Sequence, residues 1–156
     1  MKTNKLSIIV LLLMVALLLP GPGYSANAPL SVVQLVANTK KEIKTVNMAE
    51  FKAMYDKKDV GLLIDVRDPD EYATGHIPGA VNISRGTLEF KIRKLVASPN
   101  NAGLNKKIML YCASGGRSAL ATKSLMDMGF TNVTGVDIKL VDWEKAGYPF
   151  SDPDVN

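Results

Sequence analysis

The chain is poor in the residues that staple or metallate a small domain: its 156 residues include one cysteine, Cys112, and one histidine, His76. A single cysteine cannot close an intramolecular disulfide, and one soft thiolate plus one imidazole are too few ligands for a dedicated zinc or copper site. No metal and no other cofactor is therefore expected. A large charge excess is missing as well. Without residues 1–26, which carry Lys2 and Lys5 and no acid, the formal charge falls from +4 to +2. The densest basic piece, Lys40-Lys41-Glu42-Ile43-Lys44, reads as a solvated helix face, so nucleic acid is excluded as a partner. There is no internal repeat, no low-complexity segment and no apolar run of the ~20 residues that a bilayer crossing requires.

The apolar run that does occur is instructive. Residues 6–19 are apolar apart from Ser7, follow Lys2 and Lys5, and end in Pro20-Gly21-Pro22-Gly23 before small residues at Ser25, Ala26 and Ala28. Basic start, short apolar centre and small-residue end are the pattern of a cleavable signal peptide. An uncleaved anchor is the alternative, and fourteen residues are short for it. We expect residues 1–26 to be a signal peptide, the protein to be exported to a periplasmic or extracellular space, and no stable membrane insertion to remain after cleavage. No cysteine stands among residues 20–28 at the end of the run, so a lipid-anchored form is not expected. The remaining 130 or so residues suit one domain with one core. Residues 27–44 read as a helical extension outside it, with Val32, Val33, Leu35 and Val36 as an apolar face and a candidate homodimer contact; residues 45–150 read as the domain and 151–156 as a tail.

Short apolar runs at 62–66, 80–83, 108–111 and 132–136 are too short for helices and too continuous for a half-solvated sheet. Helical stretches at 87–97, 118–128 and 140–146 separate them, which predicts parallel strands covered on both faces: an open α/β sheet. Upstream, 45–46 predicts a short strand, and Asn47 with Glu50 three residues on predicts a capped helix running to about Lys57. Ligands of such sheets bind beyond the carboxyl ends of the strands, which directs attention to the loop after Tyr111.

That loop begins with the lone thiol. Cys112 is followed by Ala113, Ser114, Gly115, Gly116 and Arg117, and then by a helix start. Small residues and two glycines allow the backbone to curl so that its N–H groups converge, an anion nest reinforced by the helix N-terminus. Such a field favours thiolate over thiol, so Cys112 is expected to be a nucleophile that needs no partner base. The bland alternative is an inert buried thiol at a strand end. The combined Cys, Gly, Gly and Arg spacing argues against it, because an anion cradle beside an inert thiol has no use. Arg117 supplies a planar, permanent positive charge suited to an oxyanion.

Tyr111-Cys112-Ala113-Ser114-Gly115-Gly116-Arg117-Ser118 resembles the active-site loop of single-domain rhodaneses. Asp65-Val66-Arg67-Asp68-Pro69-Asp70-Glu71-Tyr72 with Gly75-His76-Ile77-Pro78-Gly79-Ala80, and Trp143 to Pro149 near the end, are similar to further segments of that family. The resemblance implies a five-stranded parallel sheet with helices on both faces. It also implies transfer of a sulfane sulfur from a small anionic donor, thiosulfate or polysulfide, to a thiol or cyanide through a Cys112 persulfide. One departure stands out: the family's double glycine before the tryptophan is replaced by Val136-Asp137-Ile138-Lys139, which alters the rim of the loop.

Around the loop, Ala113, Ser114, Gly115, Gly116 and Arg117 are expected to bind the substrate. Arg67 and Arg85 are candidate anion contacts, each weighed against a structural ion pair or a solvated charge, and Asp65 is expected to order the loop. Between Gly75 and Ile77-Pro78-Gly79, His76 is expected to stabilise a turn rather than to act as a base. Two other functions remain open. The loop also resembles that of a Cys-dependent phosphatase or arsenate reductase, a resemblance that implies five residues between Cys and Arg where this chain has four. A non-catalytic sulfur carrier would keep both Cys112 and Arg117.

Overall fold

The computed structural model describes residues 29–96 and 103–151. The expected signal peptide, the tail beyond 151 and residue 97, where the helix over 87–97 was expected to finish, lie outside them. In chain order the elements are α1 (Val32–Glu42), β1 (Thr45–Val46), α2 (Met48–Asp56), β2 (Leu62–Asp65), α3 (Pro69–Ala73) and β3 (Val81–Asn82). A 3-10 turn (Arg85–Thr87), α4 (Leu88–Leu95), β4 (Ile108–Tyr111), α5 (Gly116–Asp127), β5 (Val133–Val136) and α6 (Leu140–Lys145) follow. The strands form one five-stranded sheet in the order β1-β5-β4-β2-β3, every pair parallel.

Residues of β4 are buried on both sides of the sheet, as its unbroken apolar sequence predicts. Alternation then assigns its side chains to two cores. Leu110 and Cys112 belong to the layer with Ile64, Leu88, Ile92, Ala121 and Leu125. Tyr111 and Met109 belong to the other, with Phe51, Ile77, Val136 and Trp143. The ring of Phe51 lies 5.0 Å from that of Trp143. Cys112 therefore emerges on the α4 and α5 side, next to α5.

Local chemistry sets the element ends. Asn47 accepts the Glu50 N–H while Glu50 returns a carboxylate oxygen to the Asn47 N–H, the reciprocal cap expected from sequence. Ser31 and Gln34 do the same for α1. Two features differ from expectation. After Asp68 comes a one-turn helix, α3, where no helical stretch was expected: Pro69 occupies its first position and Glu71 accepts the Asp68 N–H at 3.1 Å. Helix α5 starts at Gly116, two residues early, because Gly115 takes φ 81°, a left-handed conformation open to glycine, and turns the chain into the helix at once. The N-terminal extension does pack against the domain, along α5, with Thr39 buried. Its apolar residues Val32 and Val33, however, are 74% and 77% exposed.

Candidate active site

Parallel pairing places Asp65 beside Tyr111, so the segments after β2 and β4 leave the sheet at one edge. There Cys112 is 1% exposed. The Ser118 N–H donates to its Sγ at 3.4 Å, and the Ser118 hydroxyl lies 3.7 Å from the same sulfur while reaching the Val136 carbonyl at 3.3 Å. Among the described residues, the amides of Ala113, Ser114, Gly115, Gly116 and Arg117 donate to no other group. A row of amides without a protein partner, directly after the one thiol, is free to meet water or an anion. The loop is pinned from the α6 side, where the Leu140 N–H donates to the Ala113 carbonyl at 2.9 Å.

Each expected charge has a definite place. Arg117 is not left without a partner: its fork clasps Glu71 through two hydrogen bonds of 2.5 and 2.7 Å. The bond to Arg117 holds the Glu71 carboxyl at about 2, far below its usual range, and Glu71 in turn raises Arg117. Arg117 is thus a strut between the cradle and α3. Arg67 is buried and grips Asp65 with three hydrogen bonds of 2.7 to 3.1 Å, then donates to the Gly75 carbonyl at 2.6 Å. Burial pulls its pKa down, and the bond to and charge of Asp65 more than reverse this. Asp65 is fully buried and also accepts the Arg67 N–H at 2.9 Å. The pair ties β2 to the Gly75 carbonyl that follows α3, the helix that carries Glu71.

Arg85 is held by Glu89 at 2.8 Å and Ser124 at 2.9 Å, and no described contact joins it to the cradle. His76 sits in its turn, stacked on Tyr72 with ring centroids 3.8 Å apart and paired through its backbone with Ser151. Burial, followed by the Asp65 charge, pushes the Tyr111 phenol upward, keeping it a neutral acceptor for the Ile77 N–H. A surface hollow lined by Tyr55, Asp56, Lys58 and Val60 lies near the amino end of β2, the opposite edge from Cys112.

Sequence reasoning missed four site residues. Ser118 was read only as a helix start, although a hydroxyl six residues after the thiol returns to it once the loop curls. Glu71 stood inside a quoted motif without a role. Asp137, where the double glycine was missed, borders the cradle so closely that a Cβ at Gly115 would collide with its carboxylate. Lys40 of α1 binds that carboxylate at 2.6 Å, a contact across 97 residues that no local pattern announces.

A thiol at the carboxyl edge of an open parallel sheet, followed by a run of amides without a protein partner and by a helix N-terminus whose Ser118 N–H donates to the sulfur, defines a cysteine-based anion-loop protein. The chain belongs to the rhodanese-like family, whose domain description matches residues 47–146. Two relatives illustrate the likeness. A thiosulfate:glutathione sulfurtransferase of Saccharomyces cerevisiae is 30% identical over 67% of this chain and 81% of that protein. A putative sulfur carrier protein of Bacillus subtilis is 32% identical over 65% of this chain, and the match spans about half, 51%, of that protein. Among solved structures, a Wolinella succinogenes polysulfide-sulfur transferase homodimer superimposes with TM-score 0.62 and 26% identity, over 76% of this chain and 85% of that one. A Rhodopseudomonas palustris protein of unknown function, described as a possible tyrosine phosphatase, gives 0.64 and 30% over 81% and 98%.

Proposed function

We propose that the protein is a sulfurtransferase that takes a sulfane sulfur from thiosulfate or polysulfide onto Cys112 and passes it to a thiol or cyanide. The observation that carries this reading is the row of unpaired amides from Ala113 to Arg117 beside a thiol that already receives the Ser118 N–H. The Cys112 thiolate attacks the outer sulfur of the donor. A new S–S bond forms as the donor's own bond to that sulfur breaks, and sulfite from thiosulfate, or the polysulfide shortened by one sulfur, leaves with the bonding electron pair, so no general acid is required. The added sulfur stands about 2 Å beyond a sheltered Sγ. Its negative charge is held by the loop amides, and the Ser118 hydroxyl can turn from the Val136 carbonyl towards the Cys112 sulfur. An acceptor thiolate then attacks this outer sulfur and releases the Cys112 thiolate, which closes the cycle.

The four-residue spacing between Cys112 and Arg117 supports sulfur over phosphate as the cradle's occupant, and the Glu71 clasp leaves Arg117 without the open fork that a phosphoryl group would use. Export follows from the leader pattern at 1–26 and is checked by N-terminal sequencing of the secreted protein, with a start between residues 26 and 29 expected. Steady-state transfer from thiosulfate and from polysulfide to cyanide tests the activity. Turnover abolished by Cys112→Ser supports it. Phosphatase turnover exceeding sulfur transfer, or a persulfide that no small acceptor discharges, would replace it with the phosphatase or the carrier reading.

A further inference from the structure

We propose that the first turns of α1 are a docking face for a partner protein that presents its acceptor cysteine, flanked by apolar side chains, to the Cys112 persulfide. The inference rests on the sulfurtransferase reading and adds the acceptor class. Helix α1 runs alongside α5 in the same direction: Val36 meets Gly116, the first residue of α5, and Glu42 approaches Lys123, two turns further on. The residues before Val36 therefore extend past the start of α5, beyond the carboxyl edge of the sheet and beside the Cys112 loop. Val32, Leu35, Val36 and Thr39 form one stripe by helical spacing. Its C-terminal part is used, with Thr39 7% exposed against the domain. Its N-terminal part overruns what it packs on, leaving Leu35 43% and Val32 74% exposed, with Val33 at 77% and Leu30 at 56% nearby.

The overhang is held in place. Lys40 binds Asp137 at 2.6 Å, and the Asp137 carboxylate abuts Gly115 of the cradle, so α1 is tied to the rim it overlooks. A small hydrated dianion such as thiosulfate has no use for an apolar wall. The four exposed side chains offer roughly 400 Å², the size of the largest and often functional patch on an ordinary monomer, and about half of the ~800 Å² per partner in a stable complex. That area suits a transient visit by an acceptor better than a permanent second copy, the occupant left open for this helix.

The test loads the full chain with polysulfide, removes the donor, and follows sulfur transfer to two soluble cysteine peptides. They are identical except that leucine and valine, or serines, flank the cysteine. The wild type should prefer the apolar peptide at least tenfold in kcat/KM, mainly through KM. V32S/L35S, and independently V33K, should reduce that preference to within twofold while transfer to cyanide stays within twofold of wild type. Wild type without a preference, variants that retain it, or variants that lose cyanide transfer equally would overturn the proposal. So would wild type sedimenting as a dimer that V32S/L35S dissociates, since a second copy would then own the face. Failure of the wild type to load sulfur at all would instead remove the sulfurtransferase reading beneath it.

Discussion

Glu71→Gln isolates the charge that holds the cradle to α3. Gln retains an oxygen for the Asp68 N–H, as a helix N-terminus accepts either residue, but cannot ion-pair with Arg117. A carboxyl held at about 2 rather than 4.5 corresponds to about 3 kcal/mol if taken at face value. Both side chains are a third exposed, 34% and 35%, and solvent screening reduces the figure to about 1 kcal/mol. Because the folded pKa is depressed, this stability is complete above pH 4.5 and is lost as pH falls through about 2. Urea unfolding at several pH values should show Glu71→Gln less stable by about 1 kcal/mol at pH 7, with the gap closing between pH 4.5 and 2 and shrinking in 1 M salt. The same variant should lower kcat/KM for thiosulfate severalfold, since a loosened strut misplaces the loop amides. A variant as stable as wild type at pH 7, or a gap indifferent to pH, would refute the strut. A lower KM would show that Arg117, once freed, serves the donor instead.

Asp65→Asn strips the buried Arg67 of its counter-charge and should cost about 3–5 kcal/mol, read as a lowered denaturant midpoint. Gly115→Ala combines a left-handed φ with a collision against Asp137, and should cost about 2 kcal/mol or more together with most of the sulfur uptake. Ser118→Ala keeps the amide on Sγ but removes the hydroxyl. Persulfide formation and iodoacetamide reactivity at pH 7 should fall about tenfold with little change in folding midpoint, and unaltered kinetics would leave that hydroxyl only its bond to Val136.

The strands were legible because burial on both faces leaves uninterrupted apolar runs, and β2 to β5 lie within a residue or two of where those runs predict them. Asn47 and Glu50 announced α2 through a pairing that is wholly local. The thiol loop could be read for the same reason: its glycines, small residues and cysteine are contiguous. What escaped was set by tertiary geometry. Arg117 carries the same charge whether it faces a substrate or Glu71, and only the fold, which brings residues 46 positions apart together, decides between them. Arg67 and Arg85 were ambiguous for that reason, and both proved to be clasped. The apolar residues of α1 looked like a packing face, but a helical stripe does not reveal where the surface beneath it ends.

The account stands on a negatively charged sulfur carried by Cys112 among the loop amides. Intact mass spectrometry after incubation with thiosulfate or polysulfide reads it directly. The predicted result is a gain of one sulfur, about 32 Da, or a multiple of it, on the wild type, discharged by cyanide and absent from Cys112→Ser. An unchanged wild-type mass, or the same gain on Cys112→Ser, would contradict it.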